Sequence, residues 1–276
     1  MSNKNQKAKI GRINYINVMP LYYYLDQIKN KNIEIIFSSP SVLNNLMANE
    51  KLDISPVSSV ALAKHHKEWL ILPDLSISCF GEVMSVKLVS KLPFEKLHNK
   101  KVIISDESAT SADLIKLIFA KKKISPIYIK GNVSNPKHLE QKSDAGVIIG
   151  DVALKESWDK FFKHTFDLGA IWKQETNLPF VFALWAVRKK FAVENKNLVD
   201  SIIAFFQESK AWGIKNIDEI SQKASKIIGL DKEICKKYFN NICYDLNNEH
   251  IKGLNTFFDD LYKKKIIQYN VDLNFL

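Results

Sequence analysis

The sequence predicts an α/β protein of two hinged lobes with a helical C-terminal part. Three observations carry that expectation. Short β-branched runs alternate with amphipathic stretches through the first two thirds of the chain, the pattern of strands interleaved with helices. Near residue 101 the pattern starts again, giving two sets of strand–helix–strand units of similar size. A continuous apolar run, FVFALWAV at 180–187, then reads as a buried strand, and beyond Arg188 the chain is helical nearly to its end.

The elements follow in order. Residues 9–13 read as a strand, and a helix starts near Pro20, where proline suits the first helical turn. Residues 33–37 form a second strand, and Ser39-Pro40-Ser41 caps a helix running toward Asn49. Residues 53–57 form a third strand, with Ser58 and Ser59 opening a helix over VALAKHHKEW. Two extended runs follow at 70–77 and 83–90. In the second set, strands at 101–105, 126–130 and 145–149 accompany a helix over about 110–122 and another opening at Gly150-Asp151. The C-terminal helices break at Gly213, Gly229 and Asn247-Asn248. The chain is expected to cross between lobes at 85–90 and to return through 180–188. Residues 1–87 and 188–276 then make the first lobe and residues 88–187 the second. In open α/β sheets the ligand site lies beyond the carboxyl ends of the strands, here a cleft between the lobes.

The 276 residues are 46% apolar and 25% charged, an ordinary globular balance that excludes disordered and collagenous classes. No run is long enough to span a bilayer, and the N-terminus MSNKNQKAKIGR has no apolar signal core. A cytoplasmic protein without membrane contact is the expectation. Three scattered cysteines, Cys79, Cys235 and Cys243, suit neither a disulfide framework nor a metal knuckle. The net charge of +10 comes almost wholly from lysine, with only Arg12 and Arg188 as arginine. Base reading favours arginine, so no nucleic-acid partner is expected. The positive field suits attraction of a small polyanion instead.

Four strand-to-helix junctions place small polar residues where free backbone N–H groups face the cleft: Tyr15-Ile16-Asn17, Ser55 to Ser59, Ser108 to Ser111, and Gly150-Asp151. A helix N-terminus carries unpaired donors and partial positive charge, suited to carboxylate or phosphate. Singly each is an ordinary cap; converging, they predict a ligand with more than one anionic group. No Gly-rich phosphate loop, H-E-x-x-H or G-x-S-x-G occurs. His65 and His66 are adjacent and read as a polar surface pair, and Cys79 reads as a packed thiol. Glu82 and Asp151 are possible acids or bases that could equally cap local turns. Arg12 and Arg188 could offset ligand charge or form ion pairs. The predicted site is rich in neutral donors and poor in titratable catalysts.

Five strings occur in order over residues 10 to about 191: IGRINYINVMPLY, DISPVSSV, CFGEVMSVKLVS, IIGDVAL and DLGAIWKQETNLPFVFALWA. Together they resemble the chorismate dehydratase family of the futalosine route to menaquinone. The resemblance implies the two-lobed fold of type II periplasmic solute-binding proteins. It also implies removal of water from chorismate, giving 3-[(1-carboxyvinyl)oxy]benzoate, without metal or organic cofactor. The ligand is then a small dicarboxylate, with no obligate protein partner expected. The family's catalytic asparagine and serine map onto Asn17 and Ser85. Ser108, Thr110 and Ser111 follow as substrate-binding candidates, then Ser55, Ser58, Gly150 and Asp151.

Two alternatives belong to the same fold. A transport binding protein works outside the membrane, against the absence of a signal sequence or lipid-attachment cysteine. The sister enzyme forming 1,4-dihydroxy-6-naphthoate is expected to use a second-lobe histidine where this chain reads IIGD, with His138 and His164 lying elsewhere. A regulator would carry a helix-turn-helix, and none precedes residue 10.

Overall fold

A computed structural model describes residues 7–25, 32–107 and 109–276. The first sheet contains β1 (Ala8–Ile13), β2 (Ile33–Ser38), β3 (Ile54–Ser58), β4 (Trp69–Cys79) and β10 (Phe180–Arg188), in the order β2-β1-β3-β10-β4. The second contains β5 (Val86–Ser90), β6 (Lys101–Ser105), β7 (Ile127–Gly131), β8 (Ala145–Ile149) and β9 (His164–Asp167), in the order β7-β6-β8-β5-β9. Each sheet has three parallel strands at one side and antiparallel partners at the other. The central strands read as near-continuous apolar runs because both faces are covered; β8, AGVII, is buried at every position.

The chain changes sheets between Cys79 and Val86 and again between Asp167 and Phe180. β10 therefore lies wholly in the first sheet, and a division by sheet membership falls earlier than the expected boundaries at 87 and 188. The helices include α1 (Met19–Tyr22), α2 (Pro40–Ala48), α3 (Ser59–Lys64), α4 (Ala109–Lys121), α5 (Pro136–Lys142), α6 (Asp151–Lys155) and α7 (Leu168–Thr176). The C-terminal part supplies α8 (Lys189–Glu194), α9 (Lys196–Lys215), α10 (Ile217–Ile228), α11 (Lys232–Asn241) and α12 (Asn248–Lys263). α9 lies on α1, and α12 lies on β10. Among the described residues no helix is long and apolar enough to cross a membrane.

Three local expectations are corrected. α3 stops at Lys64 rather than continuing to Trp69, because Trp69 is claimed by β4 against Arg188. Gly213 does not break a helix: α9 runs through it, and a Cβ there would lie 2.0 Å from the Pro20 carbonyl oxygen. That glycine permits close helix approach rather than a turn. His66 is buried, its Nδ1 accepting from the Asp272 N–H at 3.2 Å, because the C-terminal tail folds back over it. Gly229, at φ +72°, ends α10 in the left-handed region as expected.

Candidate functional site

Between the sheets lies a narrow cleft of about 70 Å³ with an open mouth. Its floor and walls are apolar, from Ile13, Ile77, Val83, Val86, Ile149 and Phe182. Its polar groups are Tyr15, Asn17, Ser58, Ser85, Ser111 and the Gly150 backbone; among the described residues none that lines it carries a charge.

The first sheet opens the cleft by ending its pairing early. β3 pairs with β1 at Ile54 and with β10 along Ile54–Ser58, so Pro56 sits without loss of a β1 ladder bond. Side chains alternate along the strand. Pro56 and Ser58 face the cleft, while Ser55 is fully buried on the opposite side, donating to the Pro56 carbonyl at 3.0 Å. A Cβ on Gly11 would come within 2.3 Å of the Ser55 Oγ. Ser55 is thus a packing residue outside the expected site. Ser58 Oγ accepts the Ala61 N–H at 3.2 Å as the cap of α3, and also accepts from Asn44 Nδ2 at 3.2 Å.

β1 delivers Asn17 through a single 3-10 turn at Ile16–Val18. Its backbone carbonyl accepts from the Tyr244 hydroxyl at 3.0 Å. The Asn17 Oδ1 is buried with no hydrogen-bond partner among the described residues. Such an orphaned acceptor costs about 1–3 kcal/mol where water cannot reach it, so it is a strong mark of a group reserved for a ligand. Among the described residues the other buried side-chain orphan is Trp185 Nε1, which sits in an aromatic cluster with Tyr22 and Phe206.

Ser85 stands where the chain enters the second sheet. The preceding residue, Met84, has φ +64°, a conformation unfavourable for a non-glycine residue. Asp167 holds it there: its carboxylate accepts the N–H groups of Val83 at 3.1 Å, Met84 at 2.7 Å and Ala170 at 3.0 Å. Burial raises the Asp167 carboxyl above its ordinary value, and these three donors oppose the shift. The Ser85 carbonyl accepts the Gly150 N–H at 2.9 Å, and its Oγ accepts from the Tyr238 hydroxyl at 2.9 Å.

The second sheet contributes Ser111 from the first turn of α4, and Gly150 before α6. Gly150 has φ +69°, and a Cβ there would lie 2.7 Å from the Tyr15 ring, so both backbone and space demand glycine. Thr110 is buried, its Oγ1 accepting the Val60 N–H at 3.1 Å; it ties α4 to α3 instead of lining the cleft. Ser108 lies outside the described residues.

Asp151 joins the two halves. Its carboxylate accepts the Ile16 N–H at 3.2 Å, next to Asn17. Beside it, the Tyr15 hydroxyl donates to Glu107, and burial together with that carboxylate keeps the phenol protonated. Burial pushes the Asp151 carboxyl up from 3.8 to about 6, opposed by the Ile16 N–H and the Lys155 charge. Between these values the folded protein holds a proton the unfolded chain has released, so stability falls as pH rises through the window. Wild-type protein is expected to lose up to about 3 kcal/mol between pH 4 and 6 from this group. Urea midpoints against pH in wild type and Asp151→Asn check this; identical slopes overturn it.

The remaining charged candidates lie elsewhere. Arg188 pairs with Asp53 at 2.6 Å, Arg12 stacks over Tyr22 and Phe37, and Glu82 sits near Lys237 at 3.7 Å. The Cys79 thiol is buried and raised well above its ordinary value, mainly by burial. Among the described residues no group of three or more His, Cys, Asp or Glu side chains could hold a metal ion. Sequence reasoning missed Asp167, Tyr238 and Tyr244. Asp167 opens the quoted DLG string and could have been found as a cap; the two tyrosines lie in motif-free sequence, Tyr238 on α11 and Tyr244 between α11 and α12.

Comparisons with known proteins bear on the family and the fold. A family described as menaquinone biosynthesis matches residues 8–263. The chain is 29% identical over 269 residues to a chorismate dehydratase of Thermus thermophilus, covering 91% of this chain and 94% of that one. It is 30% identical over 239 residues to a chorismate dehydratase of Campylobacter jejuni, covering 85% and 88%. The fold matches the periplasmic aliphatic sulphonate binding protein of Escherichia coli with a TM-score of 0.68 at 13% identity, covering 97% and 90%. The two-lobed periplasmic-binding-protein architecture expected from the sequence is therefore the fold.

Proposed function

The chain belongs to the menaquinone biosynthesis family, and on that premise we propose that it dehydrates chorismate to 3-[(1-carboxyvinyl)oxy]benzoate. The observation that carries the reading is the unpaired Asn17 Oδ1 in the same largely apolar cleft as the Ser85 hydroxyl. Such a site suits a reaction that needs orientation and fixed dipoles more than a strong protein base.

Chorismate supplies its own base. The ring proton beside the enolpyruvyl ether is vinylogously acidic, since its electrons delocalise through the diene to the ring carboxylate. Folded back, the side-chain carboxylate takes that proton. The C–H electron pair enters the ring, the neighbouring C–O bond breaks, and the departing hydroxide leaves with the bond pair. Uptake of the proton makes water, and an aromatic ring remains. Asn17 Oδ1 accepts from the substrate hydroxyl and orients it, while Ser85 donates to it as its charge develops. Ser111 on the second sheet and Ser58 on the first donate to the carboxylates, while the Gly150 N–H is spent on the Ser85 carbonyl. We place this chemistry in the futalosine route to menaquinone and in the cytoplasm; the three unpaired cysteines suit a reducing compartment.

Purified protein incubated with chorismate is expected to yield a product one water lighter with benzenoid absorption. Chorismate that binds but is returned intact makes the protein a solute-binding protein and ends the reading.

A further inference from the structure

We propose that Tyr238, on the C-terminal helix α11, is a positioning residue that fixes the Ser85 hydroxyl as a hydrogen-bond donor toward the substrate. The inference rests on the dehydratase reading above and concerns a residue with no place in the five strings.

Tyr238 is 0% exposed and reaches Ser85 across 153 positions of sequence. Its hydroxyl donates to the Ser85 Oγ at 2.9 Å. Burial holds the phenol well above its ordinary value, so it keeps its proton whenever the enzyme works. A serine hydroxyl has one proton, two lone pairs and a freely rotating O–H; left alone it can meet a ligand as donor or acceptor. Here one lone pair is occupied by Tyr238, and among the described residues no protein group accepts the Ser85 proton. Ser85 also lines the cleft, so that proton is left for the substrate.

The backbone leaves little slack in this arrangement. Asp167 clamps Val83 and Met84, and Gly150 holds the Ser85 carbonyl. Rotation about χ1 is then the freedom that remains, and the Tyr238 bond removes it. A hydroxyl that accepts one hydrogen bond also becomes a better donor in the next, because the chain polarises. That is the polarity needed opposite a hydroxyl leaving with negative charge. The bond is a proton-ordering device; no proton is transferred along it.

The experiment is a double-mutant cycle on chorismate turnover with wild type, Tyr238→Phe, Ser85→Ala and both together. Y238F keeps the ring, and its kcat is expected to fall about five- to tenfold, the worth of one hydrogen bond, with KM little changed. In the S85A background Y238F is expected to produce no further fall. Equal losses in both backgrounds, or an unchanged kcat in Y238F, make Tyr238 merely structural and overturn the proposal. Wild type that fails to dehydrate chorismate removes the reading beneath it instead. If Y238F does not fold, 3-fluorotyrosine at 238 provides a stronger donor that keeps the hydroxyl. Its kcat must then differ from wild type with Ser85 present and match its parent with alanine at 85; any other pattern overturns the proposal.

Discussion

Asn17→Ala is expected to lower kcat for chorismate dehydration on the order of 10²–10³-fold, the usual effect of losing one preorganised polar group at a reacting centre. The same substitution is expected to leave thermal stability unchanged or higher. Asn17 contributes an unsatisfied buried oxygen to the folded protein, and removing such a group relieves its desolvation cost. Its main-chain carbonyl, which accepts from Tyr244, survives the change, so the turn keeps its anchor. Loss of activity with no loss of stability separates a group kept for the ligand from one kept for the fold. Calorimetry beside steady-state kinetics reads both; a markedly lower melting temperature with kcat intact would sink the assignment.

Asp167→Ala is expected to cost about 3 kcal/mol of stability and most of the activity together. The carboxylate receives three backbone N–H groups, and each left unpaired costs about 1–3 kcal/mol. Part is returned because a buried charge disappears with it. The damage reaches the chemistry through Met84, whose positive φ persists only while its surroundings impose it. Once that turn relaxes, Ser85 moves. Asp167→Asn retains one acceptor oxygen and should fall between wild type and alanine in both urea midpoint and kcat. Wild-type values for both measurements in D167A would show that the turn holds itself.

The strands were readable because their signal is local. AGVII and FVFALWAV are uninterrupted apolar runs, and both form strands buried throughout or nearly so. β9 escaped notice because HTFD is four residues long, too short for alternation to register. The helix expected over 60–69 ran too far since nothing in VALAKHHKEW signals that Trp69 pairs in β4. In the site, Asn17, Ser58, Ser85, Ser111 and Gly150 were legible as small polar residues at strand ends. Ser55 lies off the cleft lining by one step of strand alternation, and Thr110 lies off it with its hydroxyl accepting the Val60 N–H.

Residue order alone settled the strand–helix alternation, the two-lobed class and the family, since periodicity, punctuation and motif strings are properties of neighbouring positions. Which polar atoms are spent and which remain free was decided only by folding. Tyr238 meets Ser85, and Tyr244 meets Asn17, across separations of 153 and 227 positions. A hydrogen bond depends on a few tenths of an ångström and on direction, and no local pattern encodes a meeting of atoms that far apart along the chain.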